Sequence, residues 1–285
     1  MKRIRLALLI PLAAACAREA VPARMDASVV AAGDIASCWW RWDDATARLL
    51  DHIDGTVLVM GDAVYQSGTR GQFSRCYGGS WGRHLDRTRA VPGNHDVRTE
   101  KGAPFYAYFG RATGRPGEGW FSWDQDEWHF VGLNSETDVS AGSPQLRWLE
   151  RDLAAVGTRC TLVFSHRPVF SSGKHGGAGR MKDVLDVLYR HGVDVILSGH
   201  DHDYERFAPQ DTAGHLDETR GMVQFVVGTG GAPLYRGSTR GPNSLAFNSR
   251  VHGVLALRLR PDSYDWEFVP TRRNVFEDRG SGRCR

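Results

Sequence analysis

The chain has 285 residues, of which 41% are hydrophobic and 10% aromatic, enough to bury one large core with little room for a second domain. Its formal net charge is only +3, and its 36 Lys and Arg residues are scattered among 33 Asp and Glu residues without a block of like charge. This balance argues against nucleic acid as the main partner. After the N-terminus no segment approaches twenty uninterrupted apolar residues, so the sequence predicts no membrane-spanning helix.

The N-terminus carries a predicted export signal over residues 1–17. A basic start, MKRIR, is followed by a short apolar run and then by small residues. Cys16 follows three alanines in a pattern that resembles the lipobox of bacterial lipoproteins, although Leu12 stands four positions before the cysteine instead of three. Cleavage nearby and lipid attachment at Cys16 both remain open. We expect an exported protein that is periplasmic, extracellular or lipid-anchored to the membrane through Cys16, with one domain over residues 26–285.

Cysteines beyond Cys16 form an even set, which favours two disulfides in an oxidising compartment. None has the close CxxC spacing of a zinc knuckle, and three pairings can be drawn among Cys38, Cys76, Cys160 and Cys284. We favour Cys38 with Cys76, because both lie in loops soon after acidic strand-end motifs. That choice leaves Cys160 to pair with Cys284 and pin the C-terminus.

The first third of the chain predicts strands joined by a helix. ASVVAAGD (27–34) and TVLVMGD (56–62) are apolar runs that each end in aspartate, with the helix-compatible WDDATARLLDHI between them. This order of a strand, a helix and a second strand implies two parallel strands joined by a crossover connection. TRAVPGNHD (88–96) is a third short strand. The following region is rich in glycine and aromatic residues and predicts a loop that contains Phe105, Tyr106, Tyr108 and Phe109.

The middle of the chain predicts a hairpin and then a helix. GWFSWDQDEWHFVGLNS (119–135) alternates and breaks at Asp124–Asp126, which is typical of an antiparallel hairpin. Ser143 and Pro144 fit the N-cap and first helical position, so we predict a helix over 144–156.

The last part of the chain predicts strands around a second amphipathic helix. CTLVFSH (160–166) and VDVILSGHDH (193–202) are strands on either side of that helix. The runs MVQFVVGTGG, VHGVLALRLR and SYDWEFVP predict a final antiparallel section.

Polar residues stand where five apolar strands end, at Asp34, Asp62, Asn94, His166 and His200. Ligands of open α/β sheets bind at the carboxyl ends of strands, so these side chains can converge on one edge. His202 lies two positions after His200, and an extended backbone would direct both imidazoles to one face, with Asp201 and Asp203 pointing away.

The candidate metal ligands divide by their chemistry. Two aspartates and a tyrosine offer anionic oxygen, whereas an asparagine and three histidines offer neutral oxygen or nitrogen. One octahedral ion cannot use seven ligands, but two ions that share a carboxylate can. The sequence therefore predicts a dinuclear metal site formed by Asp34, Asp62, Tyr65, Asn94, His166, His200 and His202.

Five sequence blocks resemble, in order and spacing, the metal-binding blocks of purple acid phosphatases, within the calcineurin-like metallophosphoesterases. The blocks are GDI (33–35), GDAVY (61–65), GNHD (93–96), VFSH (163–166) and GHDH (199–202). The resemblance implies a two-sheet α/β sandwich, with mixed β-sheets flanked by helices in four α/β/β/α layers.

Two features depart from the family pattern. Ala36 stands where the family usually has the last glycine of GDxG, which bears on the backbone freedom of the loop more than on ligation by Asp34. The fibronectin-like N-terminal domain of the large plant enzymes has no space before Asp34. The chain is thus expected to be a catalytic domain alone.

Carried over block by block, the resemblance assigns the ligands to two ions with Asp62 as the bridge. One ion takes Asp34, Asp62, Tyr65 and His202, and the other takes Asp62, Asn94, His166 and His200. A free phenol titrates near pH ~10, so only a strongly charged cation would hold Tyr65 deprotonated at neutral pH. We expect Fe(III) in the first position and a divalent ion (Fe, Zn or Mn) in the second.

The implied activity is that of an acid phosphatase-like hydrolase of small phosphate monoesters. A metal-bound hydroxide would attack phosphorus in line. His95 would contact the phosphate or protonate the leaving oxygen, with Asp96 as an orienting partner. His175, in SSGKHGG, resembles a histidine near the site of small purple acid phosphatases. Lys174 and Arg206 are basic residues near these blocks that could attract the substrate anion.

Two alternatives stay open at this point. A phosphodiesterase or nucleotidase of the wider superfamily keeps the fold, although Tyr65 argues against most such relatives. The second alternative is a metal-containing binding or structural protein without turnover. The intact ligands and His95 argue against it. The substrate, the second metal and the oligomeric state cannot be read from the sequence.

Overall fold

The computed structural model describes residue 25 and residues 28–157, 160–177, 179–237 and 239–285. The predicted export signal and Cys16 lie outside these residues. Within the described ranges, no helix has the length and apolar character needed to cross a membrane.

Strands and helices alternate along most of the described chain. The elements of the first half are β1 (Val29–Ala32), β2 (Ala36–Ser37), α1 (Trp42–Leu50), β3 (Thr56–Met60), β4 (Val64–Tyr65), α2 (Arg70–Gln72), β5 (Thr88–Val91), α3 (Ala103–Phe109), β6 (Phe121–Gln125) and β7 (Trp128–Leu133). Those of the second half are α4 (Pro144–Ala154), β8 (Cys160–Ser165), α5 (Lys182–Arg190), β9 (Val195–Ser198), β10 (Tyr204–Phe207), β11 (Val223–Val227), β12 (Ser244–Asn248), β13 (Gly253–Arg260), β14 (Ser263–Pro270) and β15 (Arg279–Arg283).

Two mixed sheets form the centre of the fold. The first has the order β15-β14-β13-β1-β3-β5, with β1, β3 and β5 parallel. The second has the order β12-β10-β11-β9-β8-β7-β6, with β7, β8, β9 and β11 parallel. The predicted two-sheet α/β architecture is confirmed. The expected antiparallel final section is correct for β13 and β14, but β11 runs parallel to β9.

Alternation along the strands explains how the layers stack. In β8, Leu162 and Phe164 join the core that both sheets share, whereas Val163 faces the cluster formed with α4 and α5. Helices α4 and α5 contribute Leu149 and Leu188 to that second cluster. Full burial of such a side chain stabilises the fold by about 1.5–3 kcal/mol. On the first sheet, α1 packs against β13.

The predicted hairpin and helices of the middle region are confirmed. Strands β6 and β7 pair antiparallel, and the hydroxyl of Ser143 caps α4 by accepting a hydrogen bond from the Leu146 N–H at 3.2 Å. Helix α4 ends at Ala154, two residues before the predicted end.

The loop prediction around Phe105 is wrong, because this segment contains helix α3. Its run of aromatic residues has modest helix propensity and no polar stripe, so its sequence does not indicate a helix. Burial of its aromatic rings stabilises the helix instead, since Phe105 packs against Phe73 and Phe109 packs against Tyr77.

Both favoured disulfides are present. Cys38, directly after β2, bonds to Cys76 in the π-helical turn Phe73–Tyr77. Cys160, the first residue of β8, bonds to Cys284, which follows β15. The second disulfide therefore ties the two sheets together near the C-terminus.

Candidate metal centre

Parallel strands from both sheets end at one side of the molecule, and the predicted ligands follow these ends. Strands β1, β3 and β5 lead to Asp34, Asp62 and Asn94, and strands β8 and β9 lead to His166 and His200. Chain segments far apart in sequence thus bring their polar residues together, as expected for carboxyl ends of parallel strands.

One group of side chains gathers around the Tyr65 hydroxyl. Its oxygen lies 2.8 Å from Asp34 Oδ1, 3.0 Å from Asp62 Oδ2 and 3.0 Å from His202 Nε2. The His202 Nε2 atom is also 3.3 Å from Asp34 Oδ1. These four residues are the set that the resemblance assigned to the first ion.

A second group gathers around His166. Its Nε2 atom lies 3.1 Å from Asn94 Oδ1, 3.1 Å from His200 Nδ1 and 3.5 Å from Asp62 Oδ2. These four residues are the set assigned to the second ion.

Asp62 belongs to both groups through one oxygen. Its Oδ2 atom faces Tyr65 on one side and His166 on the other. Its Oδ1 atom accepts a hydrogen bond from the backbone N–H of His95 at 2.7 Å, which fixes the orientation of the carboxylate. The geometry is that of a carboxylate able to bridge two neighbouring cations.

Backbone carbonyls orient two of the imidazoles. His166 Nδ1 lies 2.9 Å from the Met60 carbonyl oxygen, and His202 Nδ1 lies 2.8 Å from that of Pro233. A carbonyl oxygen accepts hydrogen bonds, so each Nδ1 is the N–H donor, and in the neutral imidazole each Nε2 presents its lone pair to the site.

Strained backbone marks three of the predicted ligands. Asp34, Asp62 and His200 have φ angles of 60°, 47° and 71°, in the left-handed region that side chains with a Cβ rarely adopt. Such strain concentrates at functional sites, where the surrounding structure holds it.

The extended backbone expected at His200 and His202 is therefore wrong. The Asp201 N–H donates to the Gly199 carbonyl at 2.9 Å, so the chain turns, and the two imidazoles reach different groups of the site. Asp201 is buried and accepts hydrogen bonds from the Ser171 hydroxyl and the His175 N–H, at 2.6 and 2.8 Å.

Two glycines allow the loops to approach each other. A Cβ at Gly93 would overlap the backbone nitrogen and Oδ1 of Asp62, and a Cβ at Gly199 would lie 2.6 Å from Asp34 Oδ2. The glycines of the GNHD and GHDH blocks thus permit the contact distances that the ligands need.

Electrostatics in the site are dominated by buried charge. Burial opposes ionisation of Asp34, but the facing His202 and His166 outweigh it and lower the pKa of the carboxyl. Burial and the negative charges of Asp34 and Asp62 raise the pKa of Tyr65 well above its usual value. Burial and the His166 charge lower the pKa of His200 to about 2, so this imidazole is neutral.

The donor set fits a pair of cations. Ligand atoms of Asp34, Asp62 and His166 all lie within 4.8 Å of one another, and all three side chains are buried. The Tyr65 phenol has one proton and can satisfy only one of its two carboxylate neighbours at a time. Cations bound by hard oxygen and imidazole donors would compensate this buried negative charge.

His95 lies at the edge of this centre. Its ring packs 4.4 Å from that of Tyr65, its Nδ1 atom is 2.8 Å from the Gln66 carbonyl oxygen, and its Nε2 atom is 3.2 Å from Arg98 Nη2. The side chain keeps 17% of its surface exposed, so a molecule entering the site can reach it.

Asp96 has a different place from the one expected. Both ring nitrogens of His95 have other partners, and the buried Asp96 carboxylate accepts hydrogen bonds from the N–H groups of Gly93, Ala63 and Val64, at 2.9, 3.2 and 3.3 Å. Burial and the charge of Asp62 raise the pKa of Asp96 to about 8. This carboxyl joins the GDAVY and GNHD loops, and the prediction that it orients His95 is corrected.

His175 is brought to the centre, whereas Arg206 is not. The His175 ring stacks on that of His200 with centroids 4.5 Å apart, and its Nε2 atom is 3.4 Å from the Tyr235 hydroxyl. Arg206 pairs with Asp278 at 2.8 Å instead of facing the site.

Three site residues were missed by the sequence analysis. Arg167 Nη1 lies 3.1 Å from His200 Nε2, and its guanidinium forms a two-point pair with Glu136 at 2.9 and 3.0 Å. The Tyr235 ring stacks on His202 at 4.1 Å. Arg167 directly follows His166, and a charged residue at that strand end was a usable signal, whereas nothing in the local sequence marks Tyr235.

A family model and individual relatives point to the same protein family. The calcineurin-like phosphoesterase model matches residues 27–204. The chain is 28% identical to purple acid phosphatase 15 of Arabidopsis thaliana, over 74% of this chain and 46% of that protein. It is also 28% identical to phosphoenolpyruvate phosphatase of Allium cepa, over 78% of this chain and 55% of that protein.

A solved structure shares the fold. Purple acid phosphatase PPD1 from yellow lupin (Lupinus luteus) seeds superposes with a TM-score of 0.73 at 19% identity, covering 89% of this chain and 53% of the other. The chain spans about half the length of the curated relatives described above.

Proposed function

Because the chain belongs to the calcineurin-like phosphoesterase family, we propose that it hydrolyses phosphate monoesters at a dinuclear metal centre. The observation that carries the proposal is the position of Asp62 Oδ2 between the Tyr65 and the His166 groups. A carboxylate oxygen shared in this way suits a site for two cations and has no evident purpose in a site for one.

The donor types suggest which ions bind. The Tyr65 group offers two carboxylates and a phenol, a strongly anionic set that suits Fe(III), and the His166 group offers neutral donors besides Asp62, which suits Fe(II), Zn(II) or Mn(II). When bound, two such ions would act as Lewis acids toward phosphate oxygens and lower the pKa of a bound water.

The chain's own residues would bind and orient the substrate around the ions. Arg167 is held by Glu136 with its Nη1 beside His200, so its guanidinium can pair with a phosphate oxygen. The half-buried His95 lies beside Tyr65, and on substrate binding its Nε2 atom would exchange its contact with Arg98 for a hydrogen bond through which it donates a proton to the leaving oxygen. His175 would hold the His200 ring in place by stacking on it.

The cysteines bear on where the protein acts. Two disulfides are typical of exported proteins, and we propose an exported enzyme that acts on small phosphate esters. The export signal over residues 1–17 belongs to this proposal, with cleavage near Cys16 and lipid attachment at Cys16 as its two alternatives.

The test compares hydrolysis of a phosphate monoester and a phosphate diester before and after treatment with a chelator. We expect turnover of the monoester to exceed that of the diester, to disappear with the metal and to return when iron and a divalent ion are restored. Preferred turnover of the diester would favour the phosphodiesterase alternative. Metal binding without turnover of either ester would favour a protein that has lost catalysis.

A further inference from the structure

A cavity of about 850 Å³ is lined by three arginines. These are Arg236, Arg250 and Arg272, and all three are exposed. We call this the arginine cavity. Phe247 and Phe276 contribute an apolar part of its wall.

Contacts of Tyr235 place the cavity beside the centre. Its ring stacks on the ligand His202 with centroids 4.1 Å apart, and its N–H donates to the His202 carbonyl at 3.0 Å. Arg236 is the next residue. One wall of the cavity therefore begins at the residue that follows a side chain in contact with His202.

Other residues of the cavity wall are anchored to the same region. In the pairing of β10 with β12, Asn248 lies opposite Tyr204, which is two residues after His202. The Asn248 Oδ1 atom accepts hydrogen bonds from the N–H groups of Arg250 and Val251, at 3.0 and 3.2 Å. The turn that carries Arg250 is thus held in a defined conformation.

Arg272 is placed by the end of the β13–β14 pair. The N–H of the preceding Thr271 donates to the His252 carbonyl at 2.8 Å. The His252 Nε2 atom in turn lies 2.9 Å from the Ala232 carbonyl oxygen, and the neighbouring Pro233 carbonyl oxygen lies 2.8 Å from Nδ1 of His202.

Charge in the arginine cavity is uncompensated. No carboxylate lines it, and among the described residues none of its three guanidinium groups has a carboxylate partner. Elsewhere on the molecule, Arg83, Arg206 and Arg260 each pair with an aspartate. Three unpaired guanidinium groups in one concave surface attract an anion, and the guanidinium fork matches phosphate geometry.

We propose that the arginine cavity binds a second phosphate group of the substrate. The preferred substrates are then monoesters that carry at least one further phosphate, with the scissile group at the metal centre and the other among the arginines. This inference rests on the proposed function and names the substrate class for it.

The experiment compares a hexose bisphosphate with the hexose monophosphate that lacks the second group. The variant combines Arg236→Gln, Arg250→Gln and Arg272→Gln, and a matched control removes the exposed Arg115, Arg151 and Arg190 in the same way. We expect kcat/KM for the bisphosphate to fall about tenfold or more in the cavity variant, as charge-assisted hydrogen bonds are lost. For the monophosphate it should change less than about twofold, and the control should alter neither.

A binding measurement separates this inference from the proposed function. Inositol hexasulfate has no phosphate ester to cleave, and calorimetry should show tighter binding to the wild-type protein than to the cavity variant. If the wild-type protein hydrolyses neither hexose phosphate, the proposed function fails while the titration still tests the cavity. An equal loss for both substrates, no loss for the bisphosphate, or equal hexasulfate binding by the two proteins would overturn the inference.

Discussion

Tyr65 is the residue whose state depends most on a bound cation. Burial and two neighbouring carboxylates raise the pKa of its phenol well above the usual value, so a strongly charged ion is needed to remove the proton. With Asp34 and Asp62 it forms the anionic half of the centre.

Replacing this phenol gives a spectroscopic prediction. With Fe(III) bound beside Tyr65, the purified protein should be coloured by phenolate-to-iron charge transfer, and Tyr65→Phe should lose that visible band. Tyr264→Phe, a buried tyrosine remote from the ligand set, should keep it. Iron-free, colourless protein with full phosphatase activity would contradict the assignment of iron to the site. The assignment as a metallophosphoesterase would still stand.

Single residues also show what the sequence could reveal about the site. The five strand-end motifs indicated which side chains would meet, because parallel strands fix where their carboxyl ends lie. The left-handed backbone at His200 and the carbonyl partners of His166 and His202 depend on the folded loops, so alternation along an extended strand was a poor guide there. Tyr235 reaches His202 from a distant loop, and no local pattern indicates such contacts.

At the scale of elements, ion pairs of the largely buried His129 join the β6–β7 hairpin to helix α4. His129 Nδ1 lies 2.8 Å from Asp124 in β6, and its Nε2 atom lies 2.9 Å from Asp152 in α4. Ser122 donates to the same Asp152 carboxylate at 2.7 Å. Burial disfavours the charged imidazole, but the hydrogen bonds to Asp152 and Asp124 outweigh it and raise the pKa of His129.

This raised pKa gives a stability prediction with a definite sign. The folded state binds the His129 proton more tightly than the unfolded state, so the contribution is complete below the ordinary histidine pKa and disappears as pH rises through the folded value. His129→Gln should therefore lower the free energy of unfolding more at pH 5 than at pH 8, by roughly 0.5–1 kcal/mol for this partly solvated cluster.

Urea unfolding at both pH values measures the difference. His191→Gln, at the end of α5, is measured in parallel as the matched control. An effect of His129→Gln that is equal at pH 5 and pH 8, or larger at pH 8, would contradict the assignment.

Elements with strong local patterns were predictable, and those stabilised by packing were not. Helix α4 has a serine cap, a proline in its first turn and leucines at helical spacing, and its position was predicted to within two residues at the C-terminal end. Helix α3 shares only the proline in its first turn and relies on contacts of Phe105 and Phe109 with residues about thirty positions earlier, such as Phe73. Sequence periodicity does not contain that information.

At the scale of the whole molecule, the two disulfides close loops of different length. Cys38 and Cys76 are separated by 38 positions, and Cys160 and Cys284 by 124. In the chain-entropy model, a crosslink stabilises more when it closes a longer loop in the unfolded chain.

Replacing each pair by serines tests that difference. We expect each double variant to lose about 2–5 kcal/mol of stability, with the Cys160–Cys284 variant losing about 1 kcal/mol more than the Cys38–Cys76 variant. Chemical denaturation of the two variants and the wild-type protein measures this. A larger loss from the Cys38–Cys76 pair would show that local contacts, and not loop entropy, set the contribution.

The whole fold serves to bring loop tips from two sheets around a shared carboxylate, and metal content tests this directly. Purified wild-type protein should contain two metal ions per chain by elemental analysis. Asp62→Asn should contain at most one, and its monoester hydrolysis should fall more than about 100-fold, since even partners outside the ligand set contribute 10–100-fold. The exposed control Asp86→Asn should match the wild-type protein. Two ions retained in Asp62→Asn, or full hydrolysis by metal-free wild-type protein, would contradict the account.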